Sequence, residues 1–281
     1  MMKKILCICT YLIVSFSFKT VSADGTNSSL SDGVKIEHYV SSLYNQIDFS
    51  QSNRLSYDVF SKAYRGYLNL RNEGKVNREK EIISVCDFSL PSTEKRMWII
   101  DLAKKKVIFN TYVAHGQGSG EDGNLSFSNK NSTHKSSLGF YVTGDTYEGE
   151  HGTSLHLFGM DEGFNDAAFD RGIVVHGAKY VCEGYINQKD RLGRSWGCPA
   201  VPAALSLPII NTIKDSTCLF IYYPEAKYLK TAYWLNKKVD CLPESNLFAD
   251  MQQGATKPSV KVIEYIHNGK VDSTKTIPLS Q

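Results

Sequence analysis

Two side chains in this 281-residue sequence have the types and surroundings for nucleophilic chemistry. His176 closes the run Ile173-Val174-Val175-His176-Gly177-Ala178. The valines read as a buried strand, and a histidine at the end of such a strand is held by a rigid element over a cleft. Cys198 follows 22 residues later, in Gly193-Arg194-Ser195-Trp196-Gly197-Cys198-Pro199. Gly197 permits close backbone approach, and Pro199 fixes the exit from the turn. A thiol attacks as its thiolate, and histidine is its usual base. Backbone N–H groups around Gly197 and Cys198 can face a developing oxyanion. Together these features predict a Cys–His acyl-transfer site. The competing reading, a buried apolar thiol and a satisfied core histidine, requires no chemistry.

The cysteine count bears on that choice. Seven cysteines are present, and Cys7 and Cys9 fall in a leader-like start. Met1-Met2-Lys3-Lys4 is basic, Ile5 to Phe18 is largely apolar, and Val21-Ser22-Ala23 offers small residues to a signal peptidase. Residues 1–23 are therefore expected to be a secretory signal, the alternative being an uncleaved N-terminal anchor. Five cysteines remain in an oxidising compartment: Cys86, Cys182, Cys198, Cys218 and Cys241. An odd number leaves at least one thiol unpaired within the chain, which favours a functional Cys198. Cys86, Cys182, Cys218 and Cys241 allow three pairings, and sequence does not choose among them.

The remaining sequence must position the two side chains. Ile36, Tyr39, Val40, Leu43, Tyr44 and Ile47 recur at helical spacing over residues 34–47, and Val59, Phe60, Ala63, Tyr64, Tyr67 and Leu68 do so over 57–73. Ser56 and Gly74 suit the ends of the second helix. From residue 80 the texture becomes β-rich. Strands are expected at Glu81–Phe88, Arg96–Leu102, Lys106–Ala114, Gly139–Thr143, Ser154–Phe158, Gly172–His176 and Cys218–Tyr223, with one later helix at Ala203–Lys214. The reading is an N-terminal helical segment over 34–75, a mainly antiparallel β domain over 80–224, and an extension over 225–281 with a strand at Ser259–His267. The class is mainly β with two N-terminal amphipathic helices, α+β overall.

Composition narrows function. The formal charge is +3, but Lys3, Lys4 and Lys19 lie in the leader; the rest carries equal numbers of basic and acidic residues. A neutral chain without a Lys/Arg run argues against nucleic acid as a partner. No apolar run long enough to span a bilayer follows the leader. Gly118-Ser119-Gly120-Glu121-Asp122-Gly123 matches a dinucleotide fingerprint in letters alone, because no helix follows and two acids would meet the pyrophosphate. His151, His156, His176 and Cys198 lack metal-ligand spacing, so no metal is expected. His134, in a Ser/Asn loop, reads as surface. Papain-like enzymes place Cys before His, and sortases use a longer spacer with a downstream Arg on a strand that Cys218–Tyr223 lacks.

A strand ending in Val-His-Gly, a spacer, then Ser-x-Gly-Cys resembles the L,D-transpeptidase catalytic domain, of YkuD-like fold. The likeness is nearest to the murein L,D-transpeptidase subgroup with Ser-Trp-Gly-Cys-Pro at the nucleophile. Asp87-Phe88-Ser89-Leu90-Pro91-Ser92, Val113-Ala114-His115-Gly116 with Ser119-Gly120, Phe127-Ser128-Asn129, Ser136-Ser137-Leu138-Gly139-Phe140-Tyr141 and the Gly152/Ser154-Leu155 stretch extend it over about residues 35–224. The resemblance implies a YkuD-like β-sandwich or barrel core and an exported, periplasmic or envelope enzyme acting on peptidoglycan stem peptides. Cys198 would attack the carbonyl of the third stem residue, usually diaminopimelate, and release D-Ala. His176 would take the thiol proton, its other ring nitrogen held by a carbonyl such as that of Gly177. The acyl group would pass to another stem or to a protein lysine, without a cofactor. Transfer to water would make the chain an L,D-carboxypeptidase instead, and loss of chemistry would leave a peptidoglycan-binding module.

Within that resemblance Gly197, Gly177 and Ser195 are expected to shape the turn or the oxyanion site. Trp196, Arg194, Ser154 and His156 are expected to line the cleft. Trp196 stands where many members have His, and Ala200 where many have a polar or basic residue, so donor contacts must come from elsewhere. Arg194 suits a stem carboxylate, whereas Arg191 reads as a solvated loop charge.

Overall fold

A computed structural model describes residues 27–243, 260–267 and 270–278; the expected leader lies outside them. Helices α1 (Asn27–Gln46) and α2 (Tyr57–Asn72) open the chain. The core contains the apolar faces expected from their periodicity, and α1 packs on α2 through rings: Tyr44 meets Phe60 at 5.3 Å, and Tyr39 stacks on Tyr64 at 6.3 Å. Ser56 precedes α2 without a side-chain cap; its carbonyl accepts the Phe60 N–H at 2.9 Å. Gly74, at φ +66°, turns the chain away after the helix.

Strands β1 (Ile82–Asp87), β2 (Met97–Asp101), β3 (Lys106–Thr111), β4 (Gly139–Gly149), β5 (Gly152–Gly159), β6 (Val174–Ala178), β7 (Ala200–Pro202) and β8 (Cys218–Tyr222) form one mixed sheet in the order β3-β2-β1-β8-β4-β5-β6-β7. Helices α3 (Glu183–Lys189) and α4 (Ala203–Ile213) flank β7 in the chain. Most pairings are antiparallel, as expected, while β1–β8 and β6–β7 are parallel. The segment after β3 returns to the opposite edge: Ala114 and Ala200 exchange both backbone hydrogen bonds, at 2.8 and 3.3 Å. That bridge brings the sheet close to a barrel, with α2 and α4 packed on it. Phe140 of β4 and Phe220 of β8 are fully buried and stack at 4.2 Å in the shared core.

Helices α5 (Ala226–Thr231) and α6 (Tyr233–Asn236) pack back on the body. Asn69 of α2 donates to the carbonyls of Trp234 and Lys237, and the Trp234 indole donates to the Met160 carbonyl at 2.7 Å. Strands β9 (Val260–His267) and β10 (Lys270–Pro278) pair antiparallel with each other; the first falls on the expected strand. Among the described residues, no helix is long and apolar enough to cross a membrane.

Candidate active site

His176 is the middle residue of β6 rather than its last, because β7 pairs in parallel with His176, Gly177 and Ala178 and carries the strand further. The register sets His176 against Ala200, two residues beyond Cys198. Cys198 therefore lies beside the start of β6, where the Val174 N–H donates to its sulfur at 3.5 Å. The thiol in turn donates to the Gly172 carbonyl at 3.6 Å. Both Cys198 and His176 line one cavity of about 450 Å³, with Ser154, Trp196, Arg194, Arg171 and Tyr180 around them. The Nδ1 of His176 lies 3.0 Å from the Gly177 carbonyl. A carbonyl only accepts, so Nδ1 holds the proton of the neutral ring and Nε2 keeps its lone pair.

Burial sets the resting charges. It raises the Cys198 pKa above the ordinary thiol value, against smaller lowering effects of the Val174 N–H and the Arg171 cation. It lowers the His176 pKa; the Gly177 hydrogen bond opposes that shift and His151 adds to it. The resting pair is thus neutral thiol and neutral imidazole, with proton transfer left to the reaction.

The nucleophile turn is fastened from several sides. The Ser195 hydroxyl donates to the Cys198 carbonyl at 2.6 Å and accepts the Gly197 N–H at 3.1 Å. The Gly197 amide is thereby committed to shaping the turn, while the Cys198 N–H has no hydrogen-bond partner among the described residues. Gly197 stands at φ +125°, and a Cβ on Gly116 would lie 2.8 Å from the Gly197 Cα. Glycine is needed at both places, one for backbone conformation and one for close approach. The buried Ser136 hydroxyl joins the two loops, accepting the Gly116 N–H and donating to the Gly197 carbonyl, each at 3.0 Å.

A buried cation underlies this arrangement. Arg96 is fully buried; it donates to His115 Nδ1 at 2.8 Å, the Asp122 carboxylate at 3.2 Å and the carbonyls of Leu90 and Val113. Because Arg96 only donates, His115 is bare at Nδ1 and donates from Nε2 to the Gly120 carbonyl. Burial, with the Arg96 charge beside it, pushes the His115 pKa down to about 4 and keeps the ring neutral. The His115 carbonyl then accepts the Ser195 N–H at 3.0 Å, tying the buried group to the turn.

The remaining expected residues divide. Ser154 is buried in the cavity wall, its hydroxyl donating to the Gly152 carbonyl. Arg194 reaches the cavity but also donates to the Gly120 carbonyl and pairs with Glu121 at 2.6 Å. Trp196 stacks on His134 and is 72% exposed. His156 is not among the cavity's lining residues: it shares the face of β5 that carries Ser154 but lies one pleat further along, where it stacks with Tyr147 and contacts the Phe169 ring. Arg191 lines a neighbouring cavity rather than this one.

Sequence reasoning missed His151, Tyr147, Tyr180 and Arg171 as cavity residues. His151 sits in the β4–β5 turn and stacks on His176 at 4.5 Å. No spacing rule connects a hairpin turn to a strand 25 residues on. Among the described residues, no group of three or more His, Cys, Asp or Glu side chains is arranged to hold a metal.

A family model for the L,D-transpeptidase catalytic domain matches residues 51–222, which include both Cys198 and His176, and the chain belongs to that family. Solved structures similar to it include an L,D-transpeptidase from Mycobacterium smegmatis, at 8% identity over 51% of this chain and 59% of that one, TM-score 0.32. An L,D-transpeptidase from Mycobacterium tuberculosis H37Rv shares 11% over 51% of this chain and 58% of that one, TM-score 0.30. An L,D-transpeptidase (Yku) from Stackebrandtia nassauensis shares 13% over 68% of this chain and 92% of that one, TM-score 0.29. The chain thus spans about six-tenths of the first two structures, and the family assignment rests on the sequence match. No curated protein matches the chain.

Proposed function

We propose that this chain is an exported peptidoglycan L,D-transpeptidase with Cys198 as nucleophile and His176 as base. The observation that carries the reading is the shared cavity: two adjoining strands bring a half-buried thiol and an imidazole with a bare Nε2 into one cleft. The Cys198 sulfur attacks the carbonyl of the third stem residue while His176 Nε2 takes the thiol proton. The Cys198 N–H is the backbone donor for the oxyanion. Collapse breaks the bond to D-Ala, whose amine leaves with the proton from His176, and a thioester remains. An acceptor amine, from a second stem or a protein lysine, then attacks the thioester and loses its proton to His176. The sulfur departs as a thiolate and takes the proton back. The Gly177 carbonyl keeps Nε2 as the base throughout. Export rests on the leader-like residues 1–23, and places the reaction in the periplasm or cell envelope.

Mass analysis of products from a purified disaccharide-tetrapeptide tests the reading. The expected result is a cross-linked dimer formed by the wild-type chain and lost on Cys198→Ser. Tripeptide alone would assign hydrolysis, and an unchanged substrate, also under reductant, would overturn the proposal.

A further inference from the structure

Beside the thiol cleft lies a second, shallow cavity of about 500 Å³, lined by Gln117, Thr133, His134, Tyr185, Arg191 and Arg194. Arg194 lines both cavities, so the two adjoin at that side chain. Two of the lining side chains are guanidiniums and none is a carboxylate. The neighbouring acids leave this balance positive. Glu121 pairs with Arg194 at 2.6 Å but is itself 71% exposed, and Asp190 forms the left-handed C-cap of α3; neither lines the cavity. Arg191 makes no ion pair among the described residues. One of its Nη atoms donates to the Leu192 carbonyl at 2.8 Å, which leaves the other Nη and Nε free to donate. A guanidinium in that state presents a planar fork that matches a carboxylate.

The walls around this fork are preformed. The Gln117 N–H donates to the Ser195 carbonyl at 2.8 Å and the Gly118 N–H to the His134 carbonyl at 2.9 Å. A Cβ on Gly118 would collide with the Thr133 carbonyl, so the two loops touch and glycine is needed between them. Gln117 Nε2 donates to His134 Nδ1 at 3.1 Å, which leaves the proton of that ring on Nε2 as a further donor. Arg194 is held in place by the Gly120 carbonyl at 3.0 Å as well as by Glu121. A fixed, donor-rich, acid-free cavity loses little entropy when an anion enters it.

We propose that this cavity is an anion subsite in which Arg191 binds a carboxylate of a stem peptide whose reacting group lies in the thiol cleft. The inference rests on the reading of stem peptides as substrate, and two measurements separate the failure of one from the failure of the other. The first is calorimetric titration of the full chain with a disaccharide-tripeptide, which lacks the D-Ala leaving group and so reports binding without turnover. The same compound with its carboxylates converted to primary amides is the comparison. The acid is expected to bind about tenfold more tightly, the scale of one charge-assisted contact. That preference is expected to vanish in Arg191→Gln and to survive in part in Arg191→Lys, which keeps the charge and loses the fork. Equal affinity for acid and amide, or a preference unchanged in Arg191→Gln, would overturn the subsite. The second measurement assigns the carboxylate to one of the two stems. An acid-over-amide preference that Arg191→Gln removes from the yield of cross-linked dimer, with the amide made on the acceptor, places the acceptor stem there. The same loss in the rate of thioester formation, with the amide made on the donor, places the donor stem there. A tenfold binding preference with neither thioester nor product formed would overturn the transpeptidase reading and leave the subsite standing, whereas products formed without any acid preference would do the reverse.

Discussion

Burial at two atoms governs the resting chemistry of Cys198 and His176. The thiol is held above its ordinary value of 9.0 and the imidazole below its ordinary value of 6.5, so both are neutral across the physiological range. Alkylation of Cys198 by iodoacetamide, followed by mass spectrometry across pH, is expected to keep climbing through the ordinary thiol range without levelling off, whereas a preformed thiolate–imidazolium pair would give a plateau near neutrality. Turnover, which needs the neutral ring as base, is expected to fall on the acid side only below 6.5, and His176→Ala is expected to lower kcat by about 10²- to 10⁴-fold. Arg171 is the nearby cation that assists the thiolate, and its guanidinium is fixed by the Ser128 and Lys135 carbonyls at 2.7 Å. Arg171→Gln is expected to slow alkylation several-fold at fixed pH, and an unchanged rate would remove it from the site.

At the scale of elements, fastening depends on buried polar groups. Ser136→Ala leaves the Gly116 N–H and the Gly197 carbonyl unpaired in the interior, at about 1–3 kcal/mol for each group. The expected result is a lower melting temperature together with slower Cys198 alkylation, because the same bond holds the nucleophile turn. The link between β5 and α5 has its own pH signature. Asp161 follows β5; it accepts the Phe140 N–H at 2.8 Å and the Tyr228 O–H at 2.9 Å, and burial raises its pKa from 3.8 to about 6. The folded state then binds the proton more tightly than the unfolded state. The contribution is complete below about 3.8 and is lost as pH rises through about 6, a difference on the order of 3 kcal/mol. Urea unfolding of wild type and Asp161→Asn between pH 4 and pH 6.5 is expected to show this decline in the wild type alone.

The legibility of these elements followed their physics. The faces of α1 and α2 and most strands carry enough apolar periodicity to be read directly, and the glycine-flanked Cys198 turn betrays its strained backbone. By contrast, β7 has three residues and ends in a proline, and α3, α5 and α6 are short. The outer half of β4 is exposed and offers no alternation, so its hairpin, and with it His151 over His176, was not visible. Arg96, His115 and Asp122 meet only through tertiary contacts, and nothing in their spacing marks them.

For the whole molecule, closure of the sheet is what couples core to chemistry. The Ala114–Ala200 bridge joins the chain after β3 to β7, and the nucleophile turn is suspended between that bridge and the buried Arg96 group. The thiols report the same organisation. All five described cysteines are free: Cys86 and Cys218 are buried in the sheet, Cys182 and Cys241 are exposed, and Cys198 is half-buried. Native thiol titration is expected to label Cys182 and Cys241 first and Cys198 more slowly, with Cys86 and Cys218 reacting only after denaturation. A disulfide in the folded protein would contradict this arrangement.

Cys198 as nucleophile is tested most directly by peptide mapping of the chain quenched in acid during reaction with a disaccharide-tetrapeptide. A thioester is expected on the peptide that contains Cys198, of the mass of the donor less D-Ala, absent from Cys198→Ala and strongly reduced in His176→Ala. Product formation with no adduct at Cys198, or turnover that survives Cys198→Ala, would contradict it.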